Sequence, residues 1–309
     1  MMQEMKKTFL INNNDENSRL DRWFRRSISN VPQSLIEKNL RKGKIKVNNK
    51  IKKSSYKLQK DDEVQIYNIN FSPSKKSKIR SNYIATKGEI ARSSDMFIEN
   101  NENFAVINKP SGIAVQSGTK SKRNILDILR NTNEFMGSSP YTVHRIDKET
   151  TGVFVVAKNR KYAQLLTSLF RIRKIYKTYL CIVIGEFKKN DKGKFIDDLI
   201  TYEGRNKIVN KAITRYEVID SNNNYSFLKL HPETGRKHQL RKQLLTRGHP
   251  ILGDTKYRFV NSEKNKKSYL MLHSYKINFT INNTKHKYIA KLPSIFKKTL
   301  NEKYLKTFL

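Results

Sequence analysis

A single cysteine, Cys181, stands among 309 residues. That rules out an intrachain disulfide and any cysteine-built zinc site. Its place in the apolar run Tyr179 to Ile184 marks it as a small core residue. The six histidines are scattered, and no pair has metal-ligand spacing such as His-x-x-x-His. No window approaches the roughly 18 uninterrupted apolar residues of a membrane span, and Met1 to Asn14 has no apolar signal-type segment. The chain is therefore expected to be soluble and cytoplasmic. A nucleotide-cradling loop is missing too, since Gly118-Thr-Lys-Ser121 lacks the Gly-x-x-x-x-Gly-Lys spacing. Acidic side chains are scarce: 27 Asp plus Glu against 63 Lys plus Arg leaves +36. Such a charge implies a polyanionic partner, because each cation at a phosphate releases condensed counterions. Part of the excess follows from a composition in which Lys, Asn and Ile abound, but a general bias does not explain where the basic residues cluster.

The length suggests two domains. Residues 1–17 are polar and expected to be irregular. From Ser18, Leu20, Trp23, Phe24 and Ile28 fall on one face of an amphipathic helix, with Ser18 as its expected N-cap. Pro32 suits the first turn of a second helix carrying Leu35, Ile36 and Leu40, and Gly43 lies just past its end. Lys38, Arg41, Lys42 and Lys44 mark the outward side and end of that helix. Ile45-Lys46-Val47 alternates apolar and basic, and Asn48-Asn49 tolerates the positive φ of a tight hairpin. Strand-like pieces follow at Tyr56–Leu58 and Val64–Ile66. The segments Ser18-Arg-Leu-Asp-Arg-Trp-Phe24, Leu40-Arg-Lys-Gly-Lys-Ile-Lys-Val-Asn48 and Asp62-Glu-Val64 resemble the S4 RNA-binding domain. The resemblance implies an RNA-binding unit over 18–67, with Lys38, Arg41, Lys42, Lys44 and Lys46 facing the RNA. Residues 68–95, with Ser-Pro-Ser-Lys-Lys-Ser-Lys, read as a basic linker.

A different composition begins near Met96. Phe97-Ile98 and Phe104 to Ile107 flank a polar stretch, a hairpin signal, and Asn108-Lys-Pro-Ser-Gly112 turns the chain. Lys109, Pro110, Gly112 and Gly152 read as backbone geometry rather than chemistry. Ile125 to Arg130 and Tyr162 to Phe170 read as helices, Ile175 to Ile184 as a strand, and 186–210 as a polar insertion or edge hairpin. Strands at Ile213–Val218 and Tyr225–Leu230 precede a turn that opens a helix with Leu240 and Leu244 inward, and Leu272–Phe279 is a late strand. Without a regular βαβ repeat, a mixed α+β sheet is expected over a doubly wound one. The chemistry is placed at Tyr141 to Lys158, where a polar loop containing Asp147 enters the β-branched run Val153 to Ala157 through Gly152. A carboxylate at the mouth of a buried strand is held more rigidly than one on a free loop.

The ordered segments His144-Arg-Ile-Asp-Lys-Glu-Thr-Thr-Gly152, Lys177-Thr-Tyr179, Thr234-Gly-Arg-Lys-His-Gln-Leu-Arg241 and Gly248-His-Pro-Ile-Leu-Gly-Asp254 resemble those of the RluA-type pseudouridine synthases. The resemblance covers roughly 97–280 and implies a pseudouridine synthase catalytic domain over 96–309. It implies a largely antiparallel mixed sheet and a monomer that isomerises uridines of 23S ribosomal RNA. Asp147 matches the family's catalytic aspartate, Tyr179 its active-site tyrosine, Arg241 the arginine that pairs with the aspartate, and Arg145 the residue that helps displace the target base. The isomerisation breaks a C–N glycosidic bond and forms a C–C bond without redox change, so no cofactor is expected. It needs a carboxylate that attacks C1′, or that stabilises or deprotonates a ribosyl intermediate, and the residues alone leave that choice open. Arg241 is expected to keep Asp147 ionised and to orient it bidentately, Tyr179 to stack on the uracil, and the nucleotide to be flipped out of the RNA. His238, one turn before Arg241, is expected to be structural.

Three departures touch RNA contact: Lys237 replaces the family's threonine or serine, and Lys242 and Gln243 stand where a small apolar residue and a histidine are more usual. Other readings remain: a non-catalytic RNA-binding or ribosome-assembly protein, a synthase with a different RNA target, and a glycosidase using Asp147 and Glu149. The last is disfavoured because residues i and i+2 of an extended segment lie side by side, whereas glycosidase carboxylates flank the scissile bond.

Overall fold

In the computed structural model the described residues are 6–12, 15–68, 94–116, 123–203, 206–259 and 268–307, with Gly88. The chain divides into two units, Met1–Ser81 and Asn82–Leu309. The division falls within the stretch read as a basic linker. Most of that stretch, like Gly118 to Ser121, lies outside the described residues.

The first unit contains strand β1 (Lys6–Leu10), helices α1 (Leu20–Ser27) and α2 (Gln33–Arg41), and strands β2 (Ile45–Val47) and β3 (Glu63–Tyr67). Its antiparallel sheet has the order β1-β3-β2. Leu20, Trp23 and Phe24 bury the expected face of α1 against Ile36, Leu40, Ile45, Val47 and Val64. Asn48 and Asn49 have φ of 50 and 63, and Lys50 N donates to the Val47 carbonyl at 3.0 Å, the tight turn that two Asn residues permit. Gly43, at φ +68, closes α2.

Several local readings change. The N-cap position of α1 is Arg19, with no side-chain capping hydrogen bond. Arg19 instead holds Asp21 through two contacts of 3.1 and 2.7 Å, which is how Asp21 tolerates burial. Leu35 is exposed. Tyr56–Leu58 contributes only an isolated bridge, Lys57 to Arg19. Lys6–Leu10, expected to be irregular, is an edge strand along β3. Its pattern is polar because only Phe9 turns inward, meeting Trp23 edge-on at 5.9 Å.

The second unit is built on one sheet with the order β4 (Phe97–Asn100), β5 (Phe104–Lys109), β7 (Thr151–Ala157), β12 (Leu272–Ile281), β8 (Tyr176–Ile184), β11 (Tyr225–Pro232), β10 (Asn206–Ser221) and β9 (Lys192–Glu203). The short β6 (Tyr141–Thr142) pairs with β7, and β13 (Thr284–Ile289) with β12. Helices α3 (Ile125–Leu129), α4 (Arg160–Arg171), α5 (Gln239–Thr246) and α6 (Ser294–Glu302) pack on it. Among the described strands only β7–β12 is parallel; the expected mixed, largely antiparallel sheet is what forms. The polar segment near 186–210 is indeed an edge hairpin, although β10 runs on unbroken to Ser221. Helix α6 buries Phe296 and Leu300 and had no counterpart in the sequence reading.

All seven residues of β7 are buried, because it lies between β5 and β12 with apolar layers on both faces. Phe154 and Val156 meet Ala105, Ile107 and Leu129 on one side. Val153 and Val155 meet Val106, Leu166 and Ile277 on the other. A strand covered on both faces reads as a continuous apolar run rather than an alternating one. At its mouth Gly152 has φ +104, and a Cβ there would lie 2.2 Å from the Ser274 carbonyl oxygen. Strand β12 reaches β7 only because that position is glycine. Gly152→Ala is therefore expected to destabilise the second unit by about 3 kcal/mol, combining a disfavoured backbone with a displaced central strand; thermal unfolding followed by circular dichroism measures it.

Candidate active site

Asp147 lies on the loop that leads into β7, and the turn after β5 clamps that loop. Lys109, fully buried, donates to the carbonyls of Pro110, Ile113 and Lys148 at 2.8, 3.0 and 3.1 Å. Gly112 N donates to the same Lys148 carbonyl at 3.0 Å, and Ser111 Oγ to that of Glu149 at 3.0 Å. Burial pulls the Lys109 pKa down to about 7, with Glu149 and Asp147 opposing it. Three carbonyls match the three N–H bonds of an ammonium, and a neutral amine would turn its lone pair on one of them; the geometry therefore holds the charged form. His144 fixes the other side of the loop. Its Nε2 accepts from Val155 N at 2.9 Å, and its ring stacks on Phe170 at 4.5 Å. Burial, aided by Lys177, lowers its pKa to about 3, so it stays a neutral acceptor.

Arg241, on α5, reaches this loop across 94 positions of sequence. Its Nη1 donates to Asp147 Oδ2 at 3.1 Å. The expected bidentate grip on Asp147 is not made. The fork formed by Nε and Nη2 is occupied by Asp254, at 2.6 and 2.7 Å. Asp254 Oδ1 accepts in addition from Lys256 N and Tyr257 N, both at 2.8 Å. Side-chain exposure is 0% for Asp254, 4% for Arg241 and 24% for Asp147, so of these three only Asp147 is partly open; the more exposed Glu149 lies 4.0 Å from Arg241 Nη1. Burial opposes the Arg241 charge, but the hydrogen bonds and charge of Asp254, with Asp147 behind them, hold its pKa above the usual arginine value.

Tyr179 enters from β8, and its register partner Ser274 on β12 lies beside Gly152. Burial pushes the phenol up to about 12; a hydrogen bond with Ser274 works against the shift and the charge of Asp147 adds to it. The side chain is therefore protonated near neutral pH. His238 precedes α5 in a left-handed conformation, φ 54. Its Nδ1 lies 2.8 Å from Tyr257 Oη and its Nε2 3.7 Å from Asp147 Oδ1. Burial lowers its pKa, opposed by Asp147 and reinforced by Arg241, Lys256 and Lys237. Tyr257 completes the group by lying under the Arg241 guanidinium at 5.1 Å.

These residues surround a cavity of about 480 Å³, lined by Arg145, Asp147, Tyr179, His238 and Arg241 among others. That is within the range of small-ligand sites, roughly 300–1,000 Å³. The three residues expected from sequence to be catalytic, Asp147, Tyr179 and Arg241, thus meet in one place, together with Arg145, expected to help displace the base. Glu149 is not among the lining residues, so it does not face Asp147 across the cavity as a glycosidase pair would. Gln243 is fully buried and links Thr214 Oγ1 to Asp197 Oδ2, at 2.7 Å each. That departure from the family pattern is a brace between α5 and the β9–β10 hairpin rather than an RNA contact. Lys38, Arg41 and Lys42 are exposed on the first unit, and Lys44 and Lys46 are half-buried. Lys46 Nζ lies 5.3 Å from the centre of the Tyr67 ring. Asp254 and Lys109 were given no chemical part by the sequence reading. Each lies within a segment singled out there, but neither shows its partners from neighbouring residues.

Comparison with known proteins gives one consistent answer. The family described as RNA pseudouridylate synthase matches residues 103–246. The chain is 32% identical over 306 residues to ribosomal large subunit pseudouridine synthase C of Buchnera aphidicola subsp. Schizaphis graminum, covering 94% of this chain and 95% of that one. It is 33% identical over 301 residues to the protein of the same name from Rickettsia conorii, covering 92% and 96%. Among solved structures, human RNA pseudouridylate synthase domain containing 4 aligns with a TM-score of 0.60 at 25% identity, over 71% of this chain and 96% of that one. The chain belongs to the RNA pseudouridine synthase family, enzymes that isomerise uridine within RNA.

Removing the charge of Asp254 tests the buried fork. Asp254→Asn leaves the Arg241 guanidinium without its inner counter-charge and is expected to cost about 3 kcal/mol of stability. Urea unfolding of the variant against the parent measures it.

Proposed function

We propose that this protein converts specific uridines of 23S ribosomal RNA to pseudouridine, with Asp147 as the catalytic carboxylate. The observation that carries this reading is the position of Asp147, as the only partly open end of the Asp254–Arg241–Asp147 chain, at the wall of a cavity of nucleotide size. A flipped uridine enters with its C1′ toward the carboxylate. The C1′–N1 bond breaks, the uracil turns within the cavity, C1′–C5 forms, and the C5 proton is lost while N1 gains one. No atom is gained or lost overall. Arg241 holds the Asp147 carboxylate through one N–H, leaving Oδ1 on the side facing His238. Tyr179, a phenol at neutral pH, offers its ring face for stacking and its hydroxyl as a donor rather than a ready base. Arg145, exposed at the rim, takes the place vacated in the RNA by the flipped base.

The relatives named as ribosomal large subunit synthases support ribosomal RNA as the substrate. The first unit, with two helices, a three-stranded sheet and a basic edge formed by Lys38, Arg41, Lys42, Lys44 and Lys46, supports an S4-type RNA-docking domain. Ribosomal RNA as substrate supports a cytoplasmic place of action, and no helix among the described residues is long and apolar enough to cross a membrane.

Asp147→Asn is expected to abolish tritium release from ribosomal RNA labelled as 5-[³H]uridine while RNA binding is retained. Turnover in that variant would remove Asp147 from the mechanism. Deleting residues 1–67 is expected to weaken ribosomal RNA binding and to flatten its salt dependence; equal affinity and slope would make the first unit a passenger.

A further inference from the structure

We infer that Arg173 and Lys177 form a subsite for a single phosphodiester of the RNA strand whose uridine occupies the cavity, an inference that rests on the function proposed above. Two independent observations meet at this pair. The first is a strained backbone. Arg173 follows α4 at φ 60, its N donating to the Phe170 carbonyl at 3.3 Å and Lys174 N to that of Leu169 at 2.9 Å. This is the helix-closing pattern in which glycine is favoured because its left-handed backbone disfavours a side chain. Apart from Asn and Asp, which tolerate that conformation, the described non-glycine residues at positive φ are Arg173, His238 and Tyr304. The first two line the cavity. Strain retained in a site lining points to a role for the side chain that requires it.

The second observation is a half-buried cation with no anion. Lys177 lines the same cavity four residues on, and neither its ammonium nor the Arg173 guanidinium has a hydrogen bond or ion pair with another described residue. Burial lowers the Lys177 pKa, and the like charge of Arg173 lowers it further. The carboxylates on the cavity wall are engaged elsewhere: Asp147 by Arg241, and Glu233 by Arg215 and Lys194. Two cations thus converge where the protein supplies no counter-charge. A phosphodiester fits both: it accepts from a guanidinium fork and from an ammonium together, and its charge relieves their repulsion. Among the other cations of the lining, Arg145, Arg171 and Lys237 are exposed, as Arg173 is, but lack its left-handed backbone, and the half-buried Arg236 donates through Nε to the Lys211 carbonyl at 3.1 Å. Gripping a phosphate away from the reacting atoms fixes the strand while the base turns, so binding energy from a non-reacting group positions C1′.

The test uses the full-length protein and 23S ribosomal RNA, with affinity measured across a salt series and Tm measured in parallel. Arg173→Gly is expected to keep or raise Tm, because glycine accepts the left-handed backbone, yet to weaken RNA binding about tenfold. Lys177→Gln is expected to weaken it similarly. In the double variant the slope of log affinity against log salt falls by about one, the value for one phosphate contact. Lys174→Gln, a charge change outside the cavity lining, stays near the parent and serves as the control. Affinity and slope unchanged in Arg173→Gly and Lys177→Gln, with an active parent, overturn the subsite alone. A loss of slope near two in the double variant also overturns it, since the cations would then hold separate phosphates. A parent that neither binds nor modifies the RNA overturns the functional reading, and this inference with it.

Discussion

The buried fork between Asp254 and Arg241 is the interaction on which the site depends. A guanidinium this enclosed is stable only when its N–H groups are satisfied, and an enclosed carboxylate only when its lone pairs are. Both conditions hold: Asp254 takes two N–H groups from Arg241 and two from the backbone of Lys256 and Tyr257. The consequence for Asp147 is geometric. Its arginine cannot swing to follow a moving carboxylate, because two of that arginine's donors are already fixed from behind. The acid is therefore located by a cation that is itself located, and the clamp of Lys109 and Ser111 on its loop removes the remaining freedom.

Around this axis two histidines and the tyrosine are held neutral. His144 and His238 are pushed below their ordinary values and Tyr179 above its own, each mainly by burial. The polar groups beside Asp147 are thus neutral and the fixed charge that meets it directly is that of Arg241, while Arg145, Arg173, Lys177 and Lys237 add positive charge to the rest of the lining. The large positive charge of the chain lies mostly outside it, on exposed lysines and arginines.

What could be read from sequence followed the range of the interaction that decided it. The burial of β7, the inward face of α1 and the Asn48-Asn49 turn follow from neighbours within a few residues, and each formed as expected. The motifs carrying Asp147, Tyr179 and Arg241 identified the residues that meet at the cavity. They did not reveal the hydrogen bonds, because two carboxylates compete for one guanidinium fork and spacing along the chain does not say which fills it. Strand β1 was missed because its one inward side chain, Phe9, leaves no alternation to detect. Lys109 read as a turn residue because its acceptors are carbonyls, which are the same at every position of a sequence.

The parallel pairing of β7 with β12 also fixes an order of events during synthesis. Gly152 pairs with Ser274, so the centre of the sheet cannot close until more than a hundred further residues have left the ribosome. The first unit, with its own core and sheet, is available long before that. For much of its synthesis the nascent chain therefore presents the basic edge of its first unit while lacking the strand that seats Tyr179 beside Asp147. A product truncated before Leu272 would retain that edge without a finished cavity.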